Sequence, residues 1–219
     1  MSHFLDTTPT SLKICGVTLA EDARRLIDLG VHALGINFWP QSKRYLDPES
    51  AEPILRQSSN HITRVGVFVN ADPKLPLHLI ESGLIDIAQF HGDETPDYCA
   101  YFADNNLPFI KAIGVKSQSS LQNIADYQAN AILLDTPAPG IYGGTGETFD
   151  WTHAQAFIQN NPNIPVLLAG GLTPENAADA ITQVQPAALD IASGAELKPG
   201  VKDFRKIEQL LAFTQGSHH

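Results

Sequence analysis

Leu12-Lys-Ile-Cys-Gly-Val-Thr-Leu-Ala-Glu-Asp-Ala-Arg-Arg-Leu-Ile-Asp-Leu-Gly30 reads as one strand followed by one helix. Leu12 to Gly16 is short and ends in glycine, as a buried strand does; Leu19, Ala23, Leu26 and Ile27 then recur at helical spacing until Gly30 stops the run. The same pattern repeats along the chain. Strands are predicted at Ala33–Phe38, Arg64–Val69, Asp86–Phe90, Phe109–Gly114, Ala131–Leu134, Val166–Ala169 and Ala187–Ala192. Helices are predicted after them, over about 48–56, 73–82, 95–102, 119–128, 151–159, 174–183 and 201–213. Parallel neighbours need a crossover, so eight such units in 219 residues predict an α/β fold closed into a (β/α)8 TIM barrel, a single domain. A doubly wound open sheet is the alternative. The barrel is assigned to residues 12–214, residues 1–11 form an N-terminal extension, and 215–219, with its Gly-Ser-His-His ending, resembles an expression-tag remnant.

Composition narrows the class. Hydrophobic residues at 43% and charged residues at 17% are globular values, and no apolar run approaches the roughly 20 residues of a membrane span. The start of the chain lacks a basic cluster followed by an apolar core, which favours the cytoplasm. A net charge of −10 argues against a nucleic-acid partner, which needs concentrated Lys and Arg. Cys15 and Cys99 are too far apart in sequence for metal spacing or a disulfide framework, so both are expected as free thiols and no metal is expected.

Strand side chains alternate faces, and the unusual residues fall on one parity. Lys13 and Cys15 lie opposite Leu12 and Ile14; Gln89 and His91 lie opposite Ala88 and Phe90; Asp135 joins Leu133; Asp190 lies opposite Leu189 and Ile191. Asn37 and Lys111 are assigned to the same polar set. If the apolar parity packs under the helices, the polar parity points inward and gathers at the carboxyl-end mouth, where barrel active sites are built. The alternative for Lys13, Lys111, Asp135 and Asp190 is a set of paired charges filling the interior.

Several residues at the predicted mouth carry chemistry. Asp135 ends a strand and opens a glycine-rich stretch with Gly140, Gly143, Gly144 and Gly146, a loop able to approach a ligand closely, before a helix start at Asp150. A strand cysteine is ordinarily a small buried hydrophobe, but inward parity and Lys13 on the same face favour a Cys15 thiolate. Cys99, on a predicted helix, has only a packing role. Arg44, in Gln41-Ser-Lys-Arg-Tyr45, is able to grip a carboxylate with its planar fork, the alternative being a solvated loop arginine. His91 is a wall residue or a neutral turn histidine, with no second ligand at metal spacing. Gly170-Gly171, before a helix opening at Thr173-Pro-Glu, and Ser193-Gly194 close strands seven and eight, the two places where barrels seat a phosphate on backbone N–H groups.

Read together, Lys13-Ile-Cys-Gly-Val-Thr18, Ser42-Lys-Arg44, Val65-Gly-Val-Phe-Val-Asn70, Gln89-Phe-His-Gly-Asp-Glu94, Gly143-Gly-Thr-Gly146 with Phe149-Asp-Trp151, Leu168-Ala-Gly-Gly-Leu172 with Pro174-Glu-Asn176, and Asp190-Ile-Ala-Ser-Gly194 with Gly200-Val-Lys-Asp203 resemble the phosphoribosylanthranilate isomerase family of tryptophan biosynthesis. The resemblance runs in order from about Leu12 to Phe213; Phe90 stands where the family commonly has Leu, and Ala195 where it has Val. It implies a cofactor-free Amadori rearrangement of a phosphorylated aminosugar, with Asp135 as general acid and Cys15 as general base. It further implies Arg44 on the anthranilate carboxylate, and Gly170, Gly171, Ser193 and Gly194 on the phosphate. Gly143 and Gly144 would close over the substrate, and His91 and Asp190 would stand at the wall. Two alternatives stay open: a sister aminoaldose isomerase of histidine biosynthesis, whose barrels end the first strand in a carboxylate rather than a thiol, and a non-catalytic phosphate-ligand or flavin-binding barrel. The chain is expected to act as a monomer or homodimer.

Overall fold

The computed structural model describes residues 3–5, 9–137 and 148–216. Eight parallel strands close into the expected barrel, with β8 pairing back onto β1. They are β1 Ser11–Cys15, β2 Ala33–Asn37, β3 Thr63–Phe68, β4 Ile87–Phe90, β5 Phe109–Gly114, β6 Ala131–Asp135, β7 Val166–Leu168 and β8 Ala188–Ile191. Helices α1 Ala20–Asp28, α2 Pro48–Gln57, α3 Lys74–Glu81, α4 Pro96–Asp104, α5 Trp151–Asn160, α6 Pro174–Val184 and α7 Phe204–Thr214 surround it. The helix starts are written locally. Asp47 and Thr95 each accept from the third residue onward, ahead of Pro48 and Pro96, and Thr173 with Asn176 forms a capping box ahead of Pro174. Proline fits there because the first-turn N–H has no intrahelical acceptor to lose.

Two predicted elements differ. The helix expected at 119–128 is a pair of 3-10 turns, Gln118–Leu121 and Ile124–Tyr127, joined through Asn123 in the left-handed region at φ 58°. Leu121 and Ile124 are buried and Tyr127 half-buried, a spacing of three that suits a 3-10 turn of three residues and leaves an α-helix without a continuous stripe. The last helix begins at Phe204 rather than 201, because β9 Glu196–Lys198 and β10 Val201–Lys202 form an antiparallel ribbon before it. Gly200 turns that ribbon at φ 82°, and Asp203 caps α7 by accepting from Arg205 N.

The core has two layers, divided by strand parity. Leu12, Ile14, Leu34, Ile36, Phe68, Phe90, Leu134 and Ile191 pack outward under the helices. Ala33, Val65, Ile87, Ile110, Ala112, Ala131, Leu133, Leu167, Ala169 and Ala188 fill the barrel, with Phe4 packed among them. Lys111 corrects the parity reading. Ile110 and Ala112 face inward, so Lys111 faces the helix layer. There its Nζ donates to Glu94 Oε2 at 2.9 Å and to the carbonyls of Gly92 at 2.7 Å and Phe90 at 3.3 Å. A fully buried ammonium requires such partners. Lys111 was counted inward because it stands out as a charge; its flanking apolar residues were the better guide.

Phe4 is 2% exposed and packs with the residues that fill the barrel, with Leu5 against them. Phe4→Ala is expected to lower the unfolding free energy by about 3 kcal/mol, read from the urea midpoint at unchanged m-value. A change within about 0.5 kcal/mol would show that this contact contributes nothing.

Candidate active site

A cleft of about 380 Å³ opens at the carboxyl end of the strands. Cys15 at the tip of β1 and Asp135 at the tip of β6 both line it, with Gln89, His91 and Asp190. Trp39, Ser42, Lys43 and Arg44 line it from the segment after β2, and Gly170, Gly171, Leu172, Ala192 and Ser193 from the turns after β7 and β8. Of the residues singled out from sequence, Gly140, Gly143, Gly144 and Gly146 lie outside the described residues; Gly194 sits just behind the wall.

The β1 tip is held by charges on three sides. Lys13, fully buried, donates to Asp190 Oδ1 at 2.7 Å, and the two residues are direct register partners where β8 closes onto β1. Burial alone would depress the Lys13 ammonium, but Asp190 and Cys15 outweigh it and hold its pKa above the ordinary lysine value. Cys15 behaves differently from expectation. Burial, the largest effect, pushes its thiol pKa up, and Lys13 and Lys202 only partly draw it back. Its resting form at neutral pH is therefore the thiol, and the cation beside it limits the penalty without reversing it. Glycine at 35 provides the space, since a Cβ there would lie 3.0 Å from Cys15 Sγ and 3.2 Å from Lys13 Nζ.

Asp135 is oriented at both oxygens. Oδ1 accepts from Thr136 N at 2.7 Å, and Oδ2 lies 3.0 Å from His91 Nε2. Gln89 Nε2 meets His91 Nδ1 at 2.9 Å, so the ring proton sits on Nε2 and is donated to Asp135. Gln89 Oε1 is buried with no partner among the described residues. Sequence reading left His91 at the wall and gave Gln89 no role, because their contact with Asp135 crosses 44 residues.

In the turn after β7, Gly170 and Gly171 have φ 82° and 62°, and neither amide donates a hydrogen bond among the described residues. Asn176 Nδ2 ties the Gly171 carbonyl at 3.0 Å, fixing the turn ahead of α6. A Cβ on Gly194 would lie 1.9 Å from the Leu172 carbonyl oxygen, so the turns after β7 and β8 touch backbone to backbone. Free amides beside a helix amino end favour an anion.

Arg44 is not a solvated loop residue. Its Nε and Nη2 grip Glu196 at 2.7 to 3.1 Å, and Glu196 also accepts from Lys202 Nζ at 2.8 Å and Gly200 N at 3.1 Å. Lys202 Nζ in turn donates to the Cys15 carbonyl. Neither Glu196 nor Lys202 was assigned a role from sequence, although both lie in the stretches Ala192–Glu196 and Gly200–Asp203. The pairing crosses 152 residues, and no local pattern announces it.

A closed (β/α)8 barrel with a thiol, an oriented carboxyl group and a glycine turn at its carboxyl-end mouth places its functional groups where barrel enzymes build their active sites. Comparison with known proteins narrows this. The family model of N-(5'-phosphoribosyl)anthranilate (PRA) isomerase matches residues 12–212. The N-(5'-phosphoribosyl)anthranilate isomerase of Citrifermentans bemidjiense is 41% identical over 203 residues, covering 93% of this chain and 96% of the relative. That of Nitrosomonas eutropha is 42% identical over 207 residues, covering 94% and 95%. The crystal structure of phosphoribosyl anthranilate isomerase from Thermotoga maritima superposes with a TM-score of 0.84 at 36% identity, covering 94% of this chain and 99% of that one. A phosphoribosyl anthranilate isomerase in complex with reduced 1-(o-carboxyphenylamino)-1-deoxyribulose 5-phosphate superposes at 0.81 with 35% identity, covering 94% and 99%. The chain belongs to the phosphoribosylanthranilate isomerase family and is an enzyme, which sets aside the non-catalytic binder. Among the described residues, no helix is long and apolar enough to cross a membrane.

The raised Cys15 thiol yields a direct expectation. Alkylation by iodoacetamide should be slow at neutral pH and climb with a midpoint above the roughly 8.5 of a free cysteine. Cys99, buried and pushed up to about 11, will not compete. A Cys15 midpoint below 8 would show that Lys13 dominates after all.

Proposed function

We propose that the chain catalyses the Amadori rearrangement of N-(5-phosphoribosyl)anthranilate to 1-(2-carboxyphenylamino)-1-deoxyribulose 5-phosphate in tryptophan biosynthesis, with Asp135 as general acid and Cys15 as general base. Asp135 gives a proton to the furanose ring oxygen as the C1–O bond breaks, and the anthranilate nitrogen's lone pair forms the C1=N iminium. Cys15 removes the C2 proton, the C2–H electrons form the C1=C2 bond, and the C=N pair returns to nitrogen. The enaminol then becomes the ketone by losing the C2 hydroxyl proton and gaining one at C1. The iminium is the electron sink, so the reading requires no cofactor.

The observation that carries the proposal is that Cys15 and Asp135, on strands far apart in sequence, line one cleft with a guanidinium and with glycine amides that have no partner among the described residues. The substrate's two anionic ends match them. Arg44 would hold the ring carboxylate, and Gly170, Gly171, Ser193 and Gly194 the phosphate. Gly143 and Gly144 would cover the sugar. With Cys15 resting as the thiol, its proton must pass to solvent before it acts as a base, and Lys13, held charged by Asp190, offsets part of the cost of the thiolate. His91 orients Asp135 through the 3.0 Å contact of Nε2 with Oδ2. A sister isomerase with carboxylates at two strand tips would have a different base, since β1 here ends in a thiol. The reading carries with it a cytoplasmic enzyme acting on a free phosphorylated aminosugar.

The decay of anthranilate-type fluorescence as the adduct is consumed tests it. Cys15→Ala and Asp135→Asn should each lower kcat by roughly 10² to 10⁴ with an unchanged thermal midpoint. Near-wild-type kcat in either removes that residue from its role. Arg44→Ala should act mainly on KM, and unchanged kcat/KM would remove the carboxylate contact.

A further inference from the structure

Glu196 does not line the cleft, yet it has more charged partners than any residue that does. It is 6% exposed and sits behind Arg44 at the start of the β9–β10 ribbon. Arginine has five N–H donors, and Glu196 engages the Nε–H and one Nη2–H in a bidentate fork. Two N–H groups on Nη1 and one on Nη2 remain, a second edge of the same spacing, and Nη1 has no partner among the described residues. Because Arg44 itself lines the cleft, that second edge is the one available to a ligand. Gly16, at φ 72°, is what lets the arginine stem cross the β1 tip, since a Cβ there would lie 2.2 Å from Arg44 Cδ.

Charge accounts for Lys202. Glu196 alone would neutralise Arg44 and cancel its pull on an incoming anion. Burial draws the ammonium pKa of Lys202 down and Glu196, 2.8 Å away, partly offsets this; in its protonated form Lys202 restores one net positive charge to the trio. The ribbon carrying both residues is tied to the loop after β1: Thr18 Oγ1 donates to the Gly200 carbonyl at 2.7 Å, and Lys202 N donates to Asp22 Oδ2 at 3.1 Å.

We infer that Glu196 is the positioning residue for carboxylate recognition, holding the Nε/Nη2 edge of Arg44 so that its Nη1/Nη2 edge faces the ring carboxylate of the substrate. This rests on the reading that Arg44 binds that carboxylate. An arginine left unheld would be ordered only by the ligand, and affinity falls by the rotamer freedom lost on binding.

Calorimetry on the full-length protein with two ligands separates the possibilities. One ligand is the reduced 1-(2-carboxyphenylamino)-1-deoxyribulose 5-phosphate; the other is its aniline counterpart without the carboxyl group. The wild-type protein should bind the carboxylated ligand at least about tenfold more tightly, the scale of one charge-assisted contact. In Glu196→Gln the added positive charge acts on both phosphorylated ligands alike, while the loss of the fork should shrink that ratio by about five- to tenfold, the carboxylated ligand losing its advantage over the aniline ligand. A role in stability alone would move both ligands together. An unchanged ratio in Glu196→Gln overturns the inference while leaving Arg44 on the carboxylate. No discrimination by the wild-type protein overturns the Arg44 reading and the inference with it. If Glu196→Gln does not fold, Glu196→Asp replaces it, keeping the charge but shortening the reach, with the same expectation. Failure of both to fold would assign Glu196 to stability and overturn the inference.

Discussion

The ion pair between Lys13 and Asp190 sits at the seam where the barrel closes. The two residues are partners in the β1–β8 register and their side chains are almost wholly out of water. Neither charge is tolerable there alone, and removing one partner of such a pair typically costs about 3–5 kcal/mol. A slip of β8 by one residue would turn Asp190 under the helices and leave Lys13 unpaired inside the barrel. The pair therefore selects the closing register, and that register brings the tip of β1, with Cys15, beside the turn after β8.

From that seam the site is assembled by buried charge, most of it held by partners from distant parts of the chain. Lys202 reaches the Cys15 carbonyl, Glu196 holds Lys202 and Arg44, and His91 holds Asp135. The cleft thus gathers a guanidinium from the segment after β2, glycine amides that donate to no partner among the described residues, and the proposed base and acid on the tips of β1 and β6. The orienting groups all lie on strand tips or short, tied loops, which is where precise placement is least expensive in order.

The departures from expectation have physical causes. The fifth crossover has apolar residues spaced by three with Asn123 in a left-handed conformation, and an element of that kind is a 3-10 turn however helical its composition looks. Lys111 was read by its charge and belongs by its parity to the layer outside, where Glu94 and two carbonyls receive it. Cys15 was read as a thiolate because Lys13 shares its face; the desolvation of a buried sulfur is the larger effect, and burial depth is a property of the packed barrel.

Local pattern alone determined a great deal about this protein: the alternation of strand and helix, the eightfold count, the capped helix starts, and the parity that directs Cys15, His91, Asp135 and Asp190 inward. These are short-range properties, set by steric preference and by which face of a strand is apolar. The family motifs, being contiguous, were legible for the same reason. Only the tertiary structure decided which charges meet. Lys13 with Asp190, His91 with Asp135, and Glu196 with Arg44 are contacts between segments whose separation in the chain bears no relation to their distance in space. Coulomb attraction and desolvation depend on that distance and on burial, and both quantities come into existence only when the barrel closes.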